Sequence, residues 1–286
     1  MTSARLVQHG PVAATVPLLL DSPHSGREFP ADFDAAVSEY DLREGEDSFV
    51  DELYQPAADL GVPLLAALFP RTYVDANRHR GDVDLELIDG GRWPHEYVPS
   101  GKHRIGKALI WRTLEDGRPI YGRKLAVDEV LGRVERCHAP YHARLREMLD
   151  ACHHRFGLVY HINCHSMPAV SGRMSEGGAG KPRADFVLGD RDGTSCDPSF
   201  TEFVRVTLSA MGYAVAVNDP YKGVELVRAY SNPAARRHSL QLEINKRLYM
   251  NESTRERHAG FAPLQANLTR LVEAIKDYLE AELRRG

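Results

Sequence analysis

The apolar run at 16–20 is short, continuous and closed by Ser22-Pro23-His24-Ser25-Gly26. A run of this length ending in turn residues predicts a buried strand. Residues 158–166 repeat the grammar, ending at Asn163-Cys164-His165-Ser166. Further strands are predicted at 62–68 and 72–74, on either side of the Phe69-Pro70-Arg71 turn, and at 184–189, 213–217 and 239–245. In the last of these Leu240, Leu242 and Ile244 share one face, and Gln241, Glu243 and Asn245 the other. Helical spacing puts Phe49, Val50, Leu53 and Tyr54 on one side of a helix over 47–60, kinked at Pro56. Residues 124–156 predict a helix pair or one long helix interrupted near Pro140. A helix starts near Asp197-Pro198, with Asp as cap and Pro in the first turn, and an amphipathic helix covers 256–284.

Strands alternating with helices predict an α/β fold, a mostly parallel sheet covered on both faces. One such domain accommodates residues 1–286. The pattern fades between 79 and 121, which predicts a long irregular excursion of the functional kind. Gly177-Gly178-Ala179-Gly180 reads as a mobile loop, because it lacks the G-x-x-x-x-G-K-[ST] frame of a phosphate cradle.

Composition changes this picture little. Of 286 residues, 43% are hydrophobic and 27% charged, as in an ordinary soluble protein. A formal charge of −4 offers no field for nucleic acid or an anionic membrane. No apolar run reaches the ~18–20 residues of a spanning helix, and the first residues lack a signal-peptide core. A cytoplasmic protein is expected, with its oligomeric state left open. Cys137, Cys152, Cys164 and Cys196 form no C-x-x-C pair and are expected as free thiols.

The candidate chemistry lies at strand ends, where open α/β sheets place their ligands. His24 and His165 both sit there, and two such imidazoles suggest a metal site. Catalytic zinc takes three protein ligands, and two His with a carboxylate is one such set. Arg27 occupies the position of a tight H-x-x-E glutamate, so the carboxylate is sought at Glu46-Asp47. Asp47 could equally cap the following helix. Asn77-Arg78 offers an amide and a guanidinium fork for a carboxylate, unless Arg78 pairs with Asp82 or Asp84. Glu243, facing away from the apolar layer, suits a general base. The alternative is a pairing with Lys246 or Arg247. Lys222 and Arg228, with Arg78, could form a cationic pocket or polarise an oxyanion.

Several motifs occur in order: S-P-H-S-G at 22–26, E-D-x-x-V-D-x-L-Y at 46–54 and D-x-N-R at 75–78. They continue with P-Y-H-A-R-L at 140–145, N-C-H-S-M at 163–167, L-G-D-x-D-G-x-S-C at 188–196, and Q-L-E-I-N-K-R-L-Y-M-N-E at 241–252. Together they resemble the N-formylglutamate amidohydrolase family, over roughly residues 15–255. That family is similar in layout to zinc carboxypeptidases and aspartoacylases, which implies a three-layer α/β/α fold. The resemblance implies one zinc ion on His24, His165 and Asp47, with Glu46 as the alternative carboxylate, and Glu243 as general base. It implies Asn77 and Arg78 as the substrate clamp and Arg228 as a second anion contact. The substrate implied is a small anionic N-acyl amino acid, N-formyl-L-glutamate, cleaved to formate and glutamate late in histidine breakdown.

Three other readings compete. A cysteine amidase would use Cys164 with His165, but neighbours on a strand point to opposite faces. A related deacylase or carboxypeptidase-like hydrolase would share the clamp. A non-catalytic binding protein would not need Glu243.

Overall fold

The computed structural model describes residues 5–173 and 178–285, so Gly177 of the glycine-rich loop lies outside the described residues. Seven strands form one sheet: β1 (Leu6–His9), β2 (Leu18–Ser22), β3 (Leu64–Ala67), β4 (Val159–Met167), β5 (Phe186–Gly189), β6 (Val215–Val217) and β7 (Arg237–Asn245). Their order is β1-β3-β2-β4-β7-β5-β6. The four central strands, β3, β2, β4 and β7, run parallel. β1 pairs antiparallel with β3, and β5 antiparallel with β7, while β5 and β6 are parallel. The carboxyl ends of the central strands therefore lie along one edge.

The helices are α1 (Glu39–Leu42), α2 (Val50–Tyr54), α3 (Val127–Arg133), α4 (Ala139–Phe156), α5 (Pro198–Ala210), α6 (Glu225–Tyr230) and α7 (Phe261–Arg285). Side chains alternate across each strand, so the sheet divides the core in two. Leu18, Leu20, Tyr160, Ile162, Cys164, Leu240, Leu242 and Ile244 pack with α2, α5 and α7 on one face. Leu19, Leu65 and Val159 pack with α3 and α4 on the other. The result is a three-layer α/β/α sandwich.

On that second face the apolar cover gives way to polar rows. Strand register aligns Leu19 with His161 and Ser239, Asp21 with Asn163 and Gln241, and His165 with Glu243. All but Leu19 are polar and all are buried. Burying polar groups in such numbers requires that they satisfy one another.

Several elements differ from the sequence reading. Residues 72–74 form a turn, because Tyr73 N–H and Val74 N–H both donate to Pro70 O, although both side chains are buried. The helix over 47–60 becomes α2 followed by a 3-10 segment, Gln55–Leu60, with Pro56 at its start. The interruption near Pro140 is a π-helical stretch, Val134–His138, that joins α3 to α4. The chain ahead of α7 is a small hairpin, β8 (Met250–Asn251) with β9 (Glu256–Arg257). β1 carries a half-buried, patternless LVQH sequence and is added by the structure. Residues 79–121 hold two 3-10 turns, Asp89–Gly91 and Lys102–Ile105, and isolated bridges.

Candidate metal centre

His24 lies two residues beyond β2, in a loop pressed against residues 68–69. A side chain at Gly26 would meet Phe69 O at 2.2 Å, so glycine alone allows this approach. The loop is tied to the start of α2. Asp47 N–H donates to His24 O at 3.0 Å, and Asp51 N–H to Ser25 Oγ at 3.1 Å. Lys246 Nζ donates to Glu46 O at 2.7 Å and holds the same segment from β7's side. α2 begins at Val50, preceded by Phe49 in the left-handed region (φ 65°) and without a side-chain cap. Asp47 is thus not the cap of this helix, and its carboxylate turns to the imidazoles.

His24 Nδ1 and His165 Nδ1 are 3.1 Å apart, and Asp47 Oδ2 lies 3.4 Å and 2.9 Å from them respectively. All three residues are buried. The protons on the two rings follow from the groups behind them. His24 Nε2 is 2.7 Å from Asp75 Oδ1, which can only accept, so Nε2 carries the proton and Nδ1 a lone pair. His165 Nε2 is 2.8 Å from Asn163 Oδ1, and Asn163 Nδ2 donates to Asp21 Oδ1 at 2.7 Å. Asp21 therefore sets the Asn163 amide, which sets the His165 tautomer. Asn77 Nδ2 also lies 3.1 Å from His165 Nε2, but a nitrogen donating to Asn163 cannot accept there. Three acceptors then face one another with no proton between them. They repel unless a cation lies among them. Tetrahedral ligands at ~2.0–2.1 Å from a metal stand roughly 3.3 Å apart, which matches these separations. The donor set fits zinc, with each imidazole backed by a second hydrogen bond as metal-bound histidines are.

The charges agree with this arrangement. Burial alone would raise Asp47, but its two imidazole neighbours hold it far below the usual carboxylate range, so it stays an anion in the site. Burial is likewise outweighed at Asp75, chiefly by the Arg71 guanidinium and His24. Arg71 donates to Asp75 Oδ2 at 3.0 Å and stacks on Trp111 at 4.9 Å. It resists the deprotonating effect of burial because Asp75, Asp47 and Glu243 all lie near. Glu243 behaves oppositely. Burial first, then the Asp47 charge, push it up to about 7, against the pull of His165 and Arg71. Its Oε1 accepts from Gln241 Nε2 at 2.8 Å.

Asn77 and Arg78 sit on the outer side of this cluster. Two stacked histidines, His138 and His142, with centroids 4.1 Å apart, hold the carbonyls around Asn77. His142 Nε2 donates to Ala76 O at 2.8 Å, and His138 Nε2 to Arg78 O at 2.9 Å. Asn77 Oδ1 accepts from Leu226 N–H at 2.9 Å, at the start of α6. Arg78 donates through Nε to Lys107 O and through Nη1 to Asn77 O, and the residue lines a cavity of about 240 Å³.

A model of the N-formylglutamate amidohydrolase family matches residues 16–250. The chain belongs to the N-formylglutamate amidohydrolase family. It is 32% identical to an N-formylglutamate deformylase of Pseudomonas putida, over 91% of this chain and 92% of that one. It is 31% identical to the N-formylglutamate deformylase of Pseudomonas aeruginosa, over 95% and 94%. The crystal structure of N-formylglutamate amidohydrolase from Ralstonia eutropha superposes with a TM-score of 0.90, at 46% identity, covering 98% of this chain and 99% of that one. A product of Agrobacterium tumefaciens, Atu2144, shares the fold at 18% identity and a TM-score of 0.62.

In this member of the amidohydrolase family the expected residues fall in three groups. His24, Asp47 and His165 meet, with Glu243 beside them. Glu46 is buried but turned away, its carboxylate held by Arg43 Nε at 2.8 Å. Arg78 and Arg228 line the cavity, Arg228 with both carboxylate oxygens of Glu225 on its guanidinium. Lys222 is not on the cavity wall and pairs with Asp192 at 2.9 Å, largely exposed. Cys164 points into the apolar face, its thiol pushed well up by burial, so it cannot meet His165. Asp75, Arg71 and the Asp21–Asn163 pair were not anticipated. Asp75 opens the D-x-N-R motif, which was the available signal. Asp21 had none, since its partners Asn163 and His161 are remote in sequence, and Arg71 had only its four-residue spacing to Asp75, outside any helix.

Proposed function

We propose that the protein hydrolyses N-formyl-L-glutamate to formate and L-glutamate, with one zinc ion held by His24 Nδ1, His165 Nδ1 and Asp47 Oδ2. The observation that carries this reading is the trio of buried ligand atoms, each within 3.4 Å of the other two. The printed names of the relatives support the substrate. An ion bound there supplies a polarised formyl carbonyl and a water acidified toward ~7. Glu243, with its carboxyl poised near neutrality, takes the water's proton and returns it to the leaving nitrogen as the C–N bond breaks. Arg71 feels the charges of both Asp47 and Glu243, and from that position it steadies the developing oxyanion. Arg78, through its spare Nη2, holds a substrate carboxylate and aims the amide.

The test is a panel of N-formyl and N-acetyl amino acids scored for released amine, before and after chelation. N-formylglutamate should be the preferred substrate, chelation should abolish turnover, and Zn²⁺ should restore it. Iodoacetamide should have no effect, because all four cysteines are buried. Loss of activity with the thiol reagent and survival through chelation would contradict the reading.

A further inference from the structure

Three arginines line the cavity beside the metal centre: Arg78, Arg191 and Arg228. They differ in what already neutralises them. Arg228 is held by both oxygens of Glu225, each at 2.8 Å. Arg78 has Asp75 and Asp82 at 3.9 Å each. Arg191 has no carboxylate within ion-pair distance among the described residues. That is unexpected from sequence, since it stands between two aspartates. Both are spent elsewhere. Asp190 Oδ1 accepts from Gly193 N–H and Asn218 Nδ2, and Asp192 pairs with Lys222.

Arg191 is also fixed in place. Its backbone is left-handed (φ 55°) and its N–H donates to Lys222 O at 2.7 Å. Its Nη1 donates to Gly223 O at 3.1 Å. This needs β5's end to lie against the 222–223 loop. A Cβ on Gly189 would come 2.6 Å from Gly223 N, so that approach depends on glycine. The guanidinium is thus preorganised with Nε and Nη2 unspent. The acids on the cavity wall do not compete for it: Glu225 serves Arg228, and Asp82 accepts from Ser100 N–H and Oγ. The wall is close to the reacting groups. Val224 N–H donates to Gln241 Oε1, and Gln241 in turn holds Glu243.

We infer that this cavity is the subsite for a second, side-chain carboxylate of the substrate, and that Arg191 is the residue that selects for it. The inference rests on the proposed hydrolysis of N-formylglutamate and adds the residue that reads the substrate's second carboxylate. Arg78 takes one carboxylate and Arg191 the other, so a substrate with a neutral side chain leaves the Arg191 guanidinium without an anion.

Two measurements on the zinc-loaded protein test this. The first is kcat/KM for N-formylglutamate against N-formylglutamine, in wild type, Arg191→Gln and Arg228→Gln. The diacid-to-amide ratio should fall about 10–100-fold in R191Q, the worth of one charge-assisted hydrogen-bonding group, and fall less in R228Q. R191K should be intermediate, since lysine keeps the charge without the fork. The second is calorimetric binding of glutarate against butyrate, which needs no turnover. R191Q should lose the preference for the diacid at an unchanged Tm. An R191Q ratio equal to wild type, equal losses on both substrates, or a wild-type protein indifferent between glutarate and butyrate would each overturn the subsite. If wild type hydrolyses no N-formyl acid while its glutarate preference still depends on Arg191, the proposed reaction falls and the subsite stands.

Discussion

His165 and Glu243 are register partners on the adjacent parallel strands β4 and β7. Partners in register project to the same side of a sheet, so one strand pair delivers an imidazole and a carboxyl to the same site. The positions are rigid because both strands are buried along their length. Asp47, carried by the loop before α2, closes the group from a different element, and its charge helps keep the Glu243 proton on.

Glu243→Gln keeps the size of the side chain and its contact with Gln241. Zinc content and binding of N-formylglutamate should be retained, while kcat falls by about 10²–10⁴, the usual worth of a positioned general base. Steady-state kinetics with elemental analysis checks this, and near wild-type turnover would remove Glu243 from the role.

Asp75→Asn tests the tautomer argument. An amide nitrogen facing His24 Nε2 would move the ring proton to Nδ1, into the place of the cation. It also leaves Arg71 without its closest carboxylate. Zinc affinity should drop about 10–100-fold, read by competition with a chromogenic chelator. An unchanged affinity would mean that Asp75 does not orient His24.

His142 supports Asn77 from behind and gives a pH signature. Burial first, then the neighbouring His138, push it from 6.5 down to about 3. The unfolded chain binds this proton as the pH falls through 6.5, but the folded chain does not until about 3. The folded state holds fewer protons in between, so stability falls as the pH drops through that window. At about pH 5 the loss is on the order of 2 kcal/mol. His142→Gln removes the titration. The wild-type advantage in unfolding free energy over H142Q should shrink by about that amount between pH 8 and pH 5, measured by denaturant unfolding. A constant difference would place the His142 pKa near its ordinary value.

The features legible in the sequence are those with local signals. Residues 16–20 and 239–245 betray strands by continuous or alternating apolar positions, and the turn chemistry after them marks His24. Leu240, Leu242 and Ile244 against Gln241 and Glu243 already separated core from site. What escaped the reading depends on particular partners, some near in sequence and some distant. Residues 72–74 have strand-like side chains but lie in a turn closed by Pro70, where burial and not pairing satisfies them. Arg71 matters through Asp75 and Trp111, and Asp21 through Asn163 and His161. None of these contacts leaves a periodic trace. Arg191 looks like one charge in an acidic turn until the structure shows where Asp190 and Asp192 are spent.

The central claim is that His24, His165 and Asp47 grip one divalent ion through Nδ1, Nδ1 and Oδ2. Anomalous diffraction at the zinc edge, from crystals grown with Zn²⁺, addresses it directly. One strong peak is expected at roughly 2.0–2.2 Å from those three atoms. No peak there, in crystals of a preparation that hydrolyses N-formylglutamate, would contradict it.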